Sequence, residues 1–213
     1  MKTIVFGDGG YASTLVDMSQ ESSCPVHPDY YFVDEKYKTE DYTYGVPVIT
    51  SLKGMEGSWY FSATFNHNVR KKWMEMAKEY NMKHLPAVIH RNTYISKRAT
   101  LPKHCCIGPF NIIEQGVTLG EFSHLSYQSK IGHGSTVGNF AHIMPNCMIG
   151  GNNKIGESLF MATAVNTIEK ISIGDNVTIG IGCMITKNLK SNITYLEKRK
   201  RCIIKKKQKN ISQ

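Results

Sequence analysis

A glycine-rich turn near the N-terminus has the spacing of a phosphate-binding loop. Residues 7–12 read GDGGYA and formally satisfy the pattern G-x-G-x-x-A, and Asp34 lies 22 residues beyond Ala12. Glycines let backbone N–H groups approach a phosphate at a helix N-terminus, and a carboxylate after a second strand can bind ribose hydroxyls. Because this short segment lacks the second half of a dinucleotide site, the pattern favours a tight turn without a ligand, or a nucleotide-phosphate site, over an NAD site.

Three histidines in the second half of the chain, His124, His133 and His142, are spaced nine residues apart. A neutral imidazole can accept a proton near neutral pH or ligate a metal ion. A catalytic zinc site of the carbonic anhydrase type needs three imidazoles within about 2 Å of one ion, two of them from close positions on one chain. The even spacing, with no H-x4-H pair, argues against such convergence, so we expect no metal and consider proton transfer instead.

A six-residue repeat predicts the elements that position these groups. At steps of six from Ile95 to Ile185, 15 of the 16 residues are large aliphatics, and Thr167 is the exception. This period fits a short strand followed by a sharp turn, with one aliphatic side chain pointing inward per strand. Three such units close a coil of about 18 residues, so the pattern predicts a three-sided prism of about five stacked coils.

The repeat also relates the candidate residues to one another. Gly151 follows His133 by 18 residues, one full coil, so the two are expected in adjacent layers of one edge, about 4.8 Å apart. His142 lies nine residues from His133, half a coil, which puts it on the far side of the prism. Both histidines can line one pocket only if a neighbouring subunit contributes, which predicts an oligomer, most simply a threefold one.

The first 90 residues have a different hydrophobic pattern, in which short apolar runs alternate with amphipathic stretches. This alternation predicts a small parallel sheet with helices that opens with a βαβ unit. The predicted strands are 3–6, 30–33, 59–63 and 85–89, and the predicted helices are one opening over 12–18 and one over 66–80. The chain is therefore divided into an α/β domain at 1–90, a β domain at 91–190 and a basic tail at 191–213.

The composition is that of a globular protein. The 213 residues are 41% hydrophobic and 20% charged, which excludes a disordered polymer and a membrane channel. No segment approaches the roughly 18 apolar residues of a membrane span, and the N-terminal apolar run of four residues is too short for a secretion signal. We expect a cytoplasmic protein without an integral membrane segment. Its six cysteines form no C-x-x-C pair and are expected to be reduced structural thiols.

The net charge of +9 lies in the C-terminal tail. Residues 187–213 carry ten Lys and Arg against the single acid Glu197, whereas residues 1–186 carry 16 basic and 16 acidic residues. A basic tail can bind phosphates, nucleic acid or an acidic membrane surface, but most such tails are solvated. We expect a solvated tail first, a phosphate or cofactor contact second, and no nucleic-acid partner.

Taken together, the two halves resemble the hexapeptide-repeat acyltransferases. More narrowly, they resemble bacterial acetyltransferases of the sialic-acid O-acetyltransferase type, including those that act on nucleotide-linked 4-amino sugars. The resemblance covers about residues 2–190 and is carried by the segments 7–10, 31–34, 45–48, 66–70, 89–90 and above all 133–151. It implies a left-handed parallel β-helix, a Rossmann-like N-terminal domain for the nucleotide sugar, and a homotrimer that holds acetyl-CoA between subunits.

The resemblance also implies a role for individual residues in the acetyl transfer. His133 matches the catalytic histidine, which would act as a general base on the attacking amine or hydroxyl. His142 and Gly151 match positions that hold acetyl-CoA, and the Gly151 N–H could stabilise negative charge on the thioester oxygen.

A second set of residues is expected to hold the nucleotide sugar. Gly9, Gly10 and Asp34 are predicted to bind the nucleotide diphosphate and its ribose or base, with Asn66 nearby.

The sequence departs from the family pattern in two places. The acidic residue that usually follows the catalytic histidine is replaced by Gly134, and Glu114, one coil below, is a candidate substitute. The Gly-x-Pro-Ala segment that often follows the repeats is also missing, so no residue is assigned to the adenine of CoA.

The function predicted from the sequence is acetyl-CoA-dependent N-acetylation of a nucleotide-linked amino sugar, such as a 4-amino-4,6-dideoxy sugar, for a bacterial surface glycan such as the O-antigen of lipopolysaccharide. One alternative is O-acetylation of a sialic-acid-like sugar. Another is a non-catalytic β-helical scaffold whose basic tail docks a partner.

Overall fold

The computed structural model describes residues 1–197, and the predicted basic tail at 191–213 lies for the most part outside the described residues. Residues 1–84 form a single sheet with two helices. In chain order the elements are β1 (Thr3–Phe6), α1 (Gly10–Ser19), β2 (Tyr30–Phe32), a 3-10 turn (Glu35–Tyr37), β3 (Tyr42–Thr43), β4 (Val46–Ile49), β5 (Trp59–Ser62), α2 (His67–Glu79) and β6 (Lys83–His84). The strand order is β3-β4-β2-β1-β5-β6, and all neighbours are parallel except β3 and β4.

The two helices cover opposite faces of this sheet. Successive residues of a strand point to opposite sides, so Val5 and Phe6 of β1 face different helices. Val5 packs in one cluster with Leu15 of α1, whereas Phe6 packs in another with Trp73 of α2. With both faces covered, strands such as β1 are buried on each side, which explains why they read as continuous apolar runs.

Helix α2 begins one residue later than the sequence predicts, because residue 66 is its N-cap. The Asn66 side-chain oxygen accepts hydrogen bonds from the N–H groups of Asn68 (3.0 Å) and Val69 (3.3 Å). An N-cap of this type typically stabilises a helix by about 1 kcal/mol. The cap fixes the first turn of α2 next to the end of β5, where the deeper cavity described below opens.

The remainder of the described chain winds into a parallel β-solenoid, as the six-residue repeat predicts. Its strands are β7 (Val88–Ile89), β8 (Tyr94–Ile95), β9 (Cys105–Ile107), β10 (Ile112–Ile113), β11 (Thr118–Leu119), β12 (Ser123–Leu125), β13 (Lys130–Ile131), β14 (Thr136–Val137), β15 (His142–Ile143), β16 (Met148–Ile149), β17 (Lys154–Ile155), β18 (Phe160–Met161), β19 (Asn166–Thr167), β20 (Ser172–Ile173), β21 (Thr178–Ile179), β22 (Met184–Ile185) and β23 (Thr194–Tyr195).

These strands form three sheets, which are the three faces of the prism. The docked face has seven strands in the order β7-β9-β12-β15-β18-β21-β23, the apolar face has six in the order β8-β10-β13-β16-β19-β22, and the polar face has four in the order β11-β14-β17-β20. Strands pair with the equivalent strand of the next coil, as Ile113 pairs with Ile131 and Ile131 with Ile149. The inward aliphatic side chains of all three faces meet in one buried core.

Thr167, the exception in the aliphatic repeat, is also buried. Its hydroxyl oxygen accepts hydrogen bonds from the Gly150 N–H (3.0 Å) and from the Asn153 side-chain amide (2.7 Å). A buried polar group is tolerated when its hydrogen bonds are made, so the threonine replaces an aliphatic residue without leaving an unpaired group. This local network lies directly beneath the turn that carries Gly151.

The N-terminal sheet unit packs on the docked face through polar as well as apolar contacts. The Arg70 Nη2 donates to the carbonyl oxygen of Phe140 (2.7 Å), and the Lys71 ammonium donates to the Ser158 hydroxyl (2.9 Å). The two units also share buried apolar contacts, because Val88 and Cys106 of the docked face join the cluster beneath α1.

The apolar face carries large hydrophobic side chains that point outward. Tyr94, Ile112, Met148 and Met184 stand on this face with exposed fractions of 63%, 42%, 44% and 47%. They stand in one outward row of the face, in which Lys130 separates Ile112 from Met148 and Asn166 separates Met148 from Met184, so the exposed stripe is apolar with two polar interruptions. Exposed large hydrophobic side chains grouped on one face typically mark an interaction site.

Two further observations concern the part of the chain that the structure describes. No helix within residues 1–197 is both long and apolar enough to cross a membrane. The cysteines of the described residues are all free, and four of them, Cys105, Cys106, Cys147 and Cys183, are buried.

Candidate active site

His133 and Gly151 are in contact at the corner between the apolar and polar faces. The Gly151 backbone packs against the imidazole, since a Cβ built on Gly151 would stand 2.8 Å from both Cε1 and Nε2 of His133. The adjacent Asn152 N–H donates to the His133 carbonyl oxygen at 2.7 Å. The spacing of one coil therefore places the two residues together as the sequence predicts, and only glycine leaves room for the ring.

The turn that carries His133 is held by a carboxylate from the coil below. Glu114 Oε2 accepts a hydrogen bond from the His133 backbone N–H (2.7 Å), and Glu114 Oε1 pairs with the Lys130 ammonium (2.8 Å). The hydrogen bond from Lys130, followed by that from the His133 N–H, lowers the pKa of Glu114. The carboxylate thus stays ionised and anchors the turn, and it contacts the backbone of His133 instead of orienting the ring.

The corner geometry explains why a glycine follows His133. Gly134 has a φ of +65°, a left-handed conformation that side-chain-bearing residues seldom adopt. A Cβ at this position would also collide with the Asn152 side chain one coil above. An acidic residue after His133 would therefore have to adopt this conformation and displace the Asn152 side chain, and the carboxylate that accompanies His133 comes instead from the coil below.

The His133 imidazole is exposed and opens into a shallow cavity of about 500 Å³. The cavity is lined by Arg98, Gln115, Gly116, His133 and Gly134. It is open to solvent along the prism edge, so a substrate can reach the imidazole from outside.

A deeper cavity of about 470 Å³ lies at the carboxyl ends of β1 and β5, between the N-termini of α1 and α2. We call it the first cavity, and its walls are Gly7, Asp8, Gly9, Gly10, Tyr11, Ala12, Val33, Tyr37, Ala63, Thr64, Phe65, Asn66, Val69 and Trp73. In open α/β sheets, ligands bind at such a crevice where crossovers diverge from neighbouring strands. The glycine turn, with Gly9 and Gly10 free of close neighbours, forms one wall.

The structure brings three of the four predicted nucleotide-binding residues to this cavity. Gly9, Gly10 and Asn66 line it, although the Asn66 side-chain oxygen is already engaged as the helix cap. Asp34 does not line it, and both its carboxylate oxygens bind the Lys72 ammonium at 2.7 and 2.8 Å. A carboxylate paired in this way still has free lone pairs, so the ribose contact of Asp34 stays a prediction.

A second cavity of about 220 Å³ adjoins the first, and the two share Gly10 and Tyr11. It runs between α1 and the corner that joins the docked and apolar faces, where Ser126, Tyr127 and Pro145 line it. The Tyr11 ring therefore separates the two cavities. The second cavity extends the first toward the edge of the apolar face.

His142 lies on the docked face and has no exposed surface. Its ring stacks on Phe160 (centroids 5.8 Å apart), meets the edge of Tyr11 at 5.3 Å, and lies 5.7 Å from His124 in the ladder that the 18-residue spacing predicts. Burial, and secondarily the Arg70 charge, holds the pKa of His142 well below its usual value. The N-terminal unit covers the ring, so His142 offers no accessible surface to acetyl-CoA in this arrangement, and its predicted contact stays a prediction.

Sequence reasoning missed the polar contacts beneath the N-terminal unit. Tyr11 Oη lies 3.3 Å from His124 Nδ1, and the Arg70 guanidinium is buried beside them. A usable signal is present in the turns that lead into the docked face: aromatic residues recur there at 18-residue spacing, as at Phe122 and Phe140, where a solvent-facing turn would carry polar residues.

Solved structures with a similar fold are acetyltransferases. A mutant of perosamine N-acetyltransferase from Caulobacter crescentus, determined in complex with CoA and GDP-perosamine, matches with a TM-score of 0.79 and 20% identity over 91% of this chain and 92% of its own. The acetyltransferase domain of PglB from Neisseria gonorrhoeae matches with a TM-score of 0.79 and 23% identity over 91% and 95% of the two chains. WeeI from Acinetobacter baumannii matches with a TM-score of 0.78 and 20% identity over the same shares.

These likenesses show the fold. The predicted resemblance to hexapeptide-repeat sugar acetyltransferases is thereby confirmed at the level of architecture, over most of the chain. No family model matches the sequence, and no curated protein matches it. Within residues 1–197, no group of three His, Cys, Asp or Glu side chains is arranged to hold a metal ion.

Proposed function

We propose that this chain is an acetyl-CoA-dependent N-acetyltransferase that acts on a nucleotide-linked amino sugar. The observation that carries the proposal is the pairing of an exposed His133 packed on Gly151 with a separate cavity at a glycine turn. Similar solved structures bind CoA together with GDP-perosamine, or acetyl coenzyme A. A base with an oxyanion donor and a nucleotide-sized cavity are the two sites that this reaction needs.

The N-terminal unit is proposed to be a Rossmann-like domain that holds the nucleotide sugar, with the β-helix at about residues 91–190 carrying the transferase site. The first cavity lies at the N-termini of two helices, whose unpaired N–H groups and dipoles attract anions. Gly9 and Gly10 allow a diphosphate to approach the backbone closely, since neither has a neighbour within 4 Å of its Cβ position. Asn66 shapes the opposite wall through the helix that it caps.

The chemistry proposed for the His133 corner is direct acyl transfer. The sugar amine attacks the thioester carbonyl carbon, its nitrogen loses a proton to the His133 imidazole, and negative charge develops on the carbonyl oxygen. The Gly151 N–H, which donates to no other residue within 1–197, is free to bind that oxygen. The C–S bond then breaks, and the proton held by His133 passes to sulfur, so that the amide and CoA with a free thiol leave.

We further propose that the working site is shared between subunits of a homotrimer. The His133 corner borders one edge of the apolar face, and the second cavity, at Tyr127 and Pro145, borders the other edge. If copies of the chain cover the stripe of Tyr94, Ile112, Met148 and Met184, the corner of one copy approaches the sugar-bearing cavity of the next. The role of His142 toward acetyl-CoA stays a prediction, and its lack of accessible surface argues against it.

The acceptor is proposed to be an amine of a sugar used in a bacterial surface glycan such as O-antigen, and the reaction is placed in the cytoplasm. The free cysteines of the described residues agree with a reducing compartment. Basic residues of the tail, at 198–213, lie outside the described residues, and no role is assigned to them.

A substrate panel tests the proposal directly. UDP-, dTDP-, GDP- and CDP-linked amino sugars are incubated with acetyl-CoA and the full chain, and release of free CoA thiol is followed together with the product mass. We expect thiol release with one nucleotide class and a mass gain of one acetyl group on the sugar. Thiol release that is the same without any sugar nucleotide, or a labile ester product in place of an amide, would contradict N-acetyl transfer.

A further inference from the structure

Arg70 is a buried cation without a counter-ion. Its side chain is 1% exposed, and its Nη2 donates to the Phe140 carbonyl oxygen, which carries no net charge. The remaining guanidinium nitrogens, Nε and Nη1, have no hydrogen-bond partner among the described residues. No carboxylate within residues 1–197 forms an ion pair with it, and residues 198–213 contain no Asp or Glu.

Such a group is costly for the ligand-free protein. Charged side chains are rarely buried unless they are paired, because removing an ion from water costs several kcal/mol even after the surroundings relax. The groups around Arg70 do not supply the missing charge: Cys106, His124 and His142 are buried, Tyr11 is partly buried, and desolvation favours the neutral form of each. The arrangement is therefore incomplete without an anion.

The position of Arg70 indicates where that anion belongs. Arg70 directly follows Val69 and lies one helical turn after Asn66, and both of these residues line the first cavity. The guanidinium is also close enough to Tyr11, another wall residue, for each to shift the pKa of the other. The one carboxylate in the cavity wall, Asp8, forms no ion pair with Arg70, so it adds negative charge that an incoming anion would have to overcome.

We propose that Arg70 is an electrostatic positioning residue for a nucleoside diphosphate in the first cavity, whose negative charge supplies the counter-ion that the protein lacks. This inference rests on the proposed function, because it assumes that the first cavity holds the nucleotide. Arg70 does not line the cavity and acts across the intervening wall. Its charge is weakly screened there, since water and salt do not reach it.

Two variants of Arg70 distinguish an effect of its positive charge from an effect of its packing. Arg70→Gln is neutral and keeps an N–H donor for the Phe140 carbonyl, whereas Arg70→Lys keeps the charge. Binding of UDP, GDP, CDP and dTDP, and of the corresponding uncharged nucleosides, is measured by calorimetry on the full chain. Two charges about 10 Å apart at an effective dielectric constant of about 20 correspond to roughly a tenfold change in affinity or more.

We expect Arg70→Gln to weaken diphosphate binding about tenfold while nucleoside binding changes by less than about twofold, and Arg70→Lys to stay within about threefold for both. The readout is the ratio of diphosphate to nucleoside affinity, which a purely structural role would leave unchanged. Equal losses for both ligands, or no loss for either, would overturn the inference and leave the proposed function standing.

Two further outcomes are decisive. If the wild-type chain binds no nucleoside diphosphate, the proposed nucleotide site fails and the role of Arg70 fails with it. If Arg70→Gln is too unstable to titrate, the thermal shifts produced by the ligands in wild type and Arg70→Lys replace the titration. Equal diphosphate-induced shifts in the two proteins support a role for charge, and their loss in the lysine variant contradicts it.

Discussion

His133 and His142 lie nine residues apart on the same β-helix, yet they occupy opposite environments. The His133 ring stands at an open corner and packs against the backbone of Gly151. The turn that carries it is bound by the ionised carboxylate of Glu114 from the coil below. The His142 ring is covered by the N-terminal unit, is stacked among aromatic rings, and has neither nitrogen hydrogen-bonded within the described residues. The same residue type in the same repeat is thus open to solvent in one case and packed out of its reach in the other.

The difference shows that the packing of another unit on a face of the prism, and not the six-residue repeat, determines whether a histidine on that face is accessible. Outward positions of the prism are equivalent until something docks on them. On the docked face, burial keeps imidazoles neutral and inaccessible, whereas at the corner the ring is open to solvent. Each of the following predictions separates these two environments.

The largest expected effect is on turnover when the corner imidazole is removed. Under the proposed mechanism, His133→Ala should lower kcat by about 100-fold or more, because general bases typically contribute that much. Its melting temperature should hardly change, since the ring is exposed. Thiol release is the assay, and His27→Ala, which removes an exposed histidine on the N-terminal unit, is the control. More than about a tenth of wild-type activity in His133→Ala would exclude the general-base role.

Disrupting the apolar face should affect activity through assembly. Met148→Glu places a charge in the exposed stripe and should yield monomers with about a hundredth of the wild-type turnover, because the proposed site needs two subunits. Light scattering gives the mass, and thiol release gives the rate. Thr136→Glu, an exposed outward position on the polar face, should leave both unchanged. A fully active wild-type monomer would contradict the shared site.

Crowding the imidazole should give a smaller loss. A methyl group at Gly151 would stand 2.8 Å from the His133 ring and must displace it, so Gly151→Ala should lower kcat by about tenfold to 100-fold with little change in KM for the nucleotide sugar. Gly180→Ala is a suitable control, because its new methyl would meet only the flexible tip of Leu196. Unchanged kcat in Gly151→Ala would show that the contact between ring and backbone has no catalytic importance.

The sequence predicts the corner better than the docked face, for a physical reason. The six-residue period determines which side chains point inward and which residues stack one coil apart, so the contact between His133 and Gly151 follows from counting. What covers an outward face depends on residues far away along the chain. Tyr11 and Arg70 reach the ladder of His124 and His142 only where the two units pack together, and the recurring aromatic residues indicate a covered face without indicating which residues cover it.

Asp34 shows the same limit at the first cavity. The end of β2 is readable from the sequence, so a carboxylate near the cavity is a reasonable prediction. Its partner Lys72 lies 38 residues away on α2, and their pairing depends on how that helix packs over the sheet. The glycine turn, by contrast, is local in sequence, and Gly9 and Gly10 line the cavity as predicted.

The smallest expected effect concerns the pH dependence of stability on the docked face. Burial depresses the pKa values of His124 and His142 well below their usual range, and that of His84 to about 4. In the unfolded chain these imidazoles take up protons near pH 6.5, whereas in the folded chain they do not. The unfolded state therefore binds more protons than the folded state at low pH. The free energy of unfolding should be highest above about pH 6.5 and should fall as the pH decreases below it.

Replacing His142 by phenylalanine isolates one contribution to this slope. Phe160, one coil above, already occupies the equivalent outward position, and the unpartnered ring nitrogens of His142 mean that His142→Phe sacrifices no hydrogen bond within the described residues. The variant should therefore be at least as stable as wild type at pH 7.5, and its advantage should grow by about 1.4 kcal/mol per pH unit below about pH 6.5. Denaturant unfolding between pH 5 and 8 measures the slope, with His27→Phe as the exposed control. Parallel slopes for wild type and His142→Phe would mean that the ring becomes protonated in the folded protein, and hence that the docked face opens to solvent.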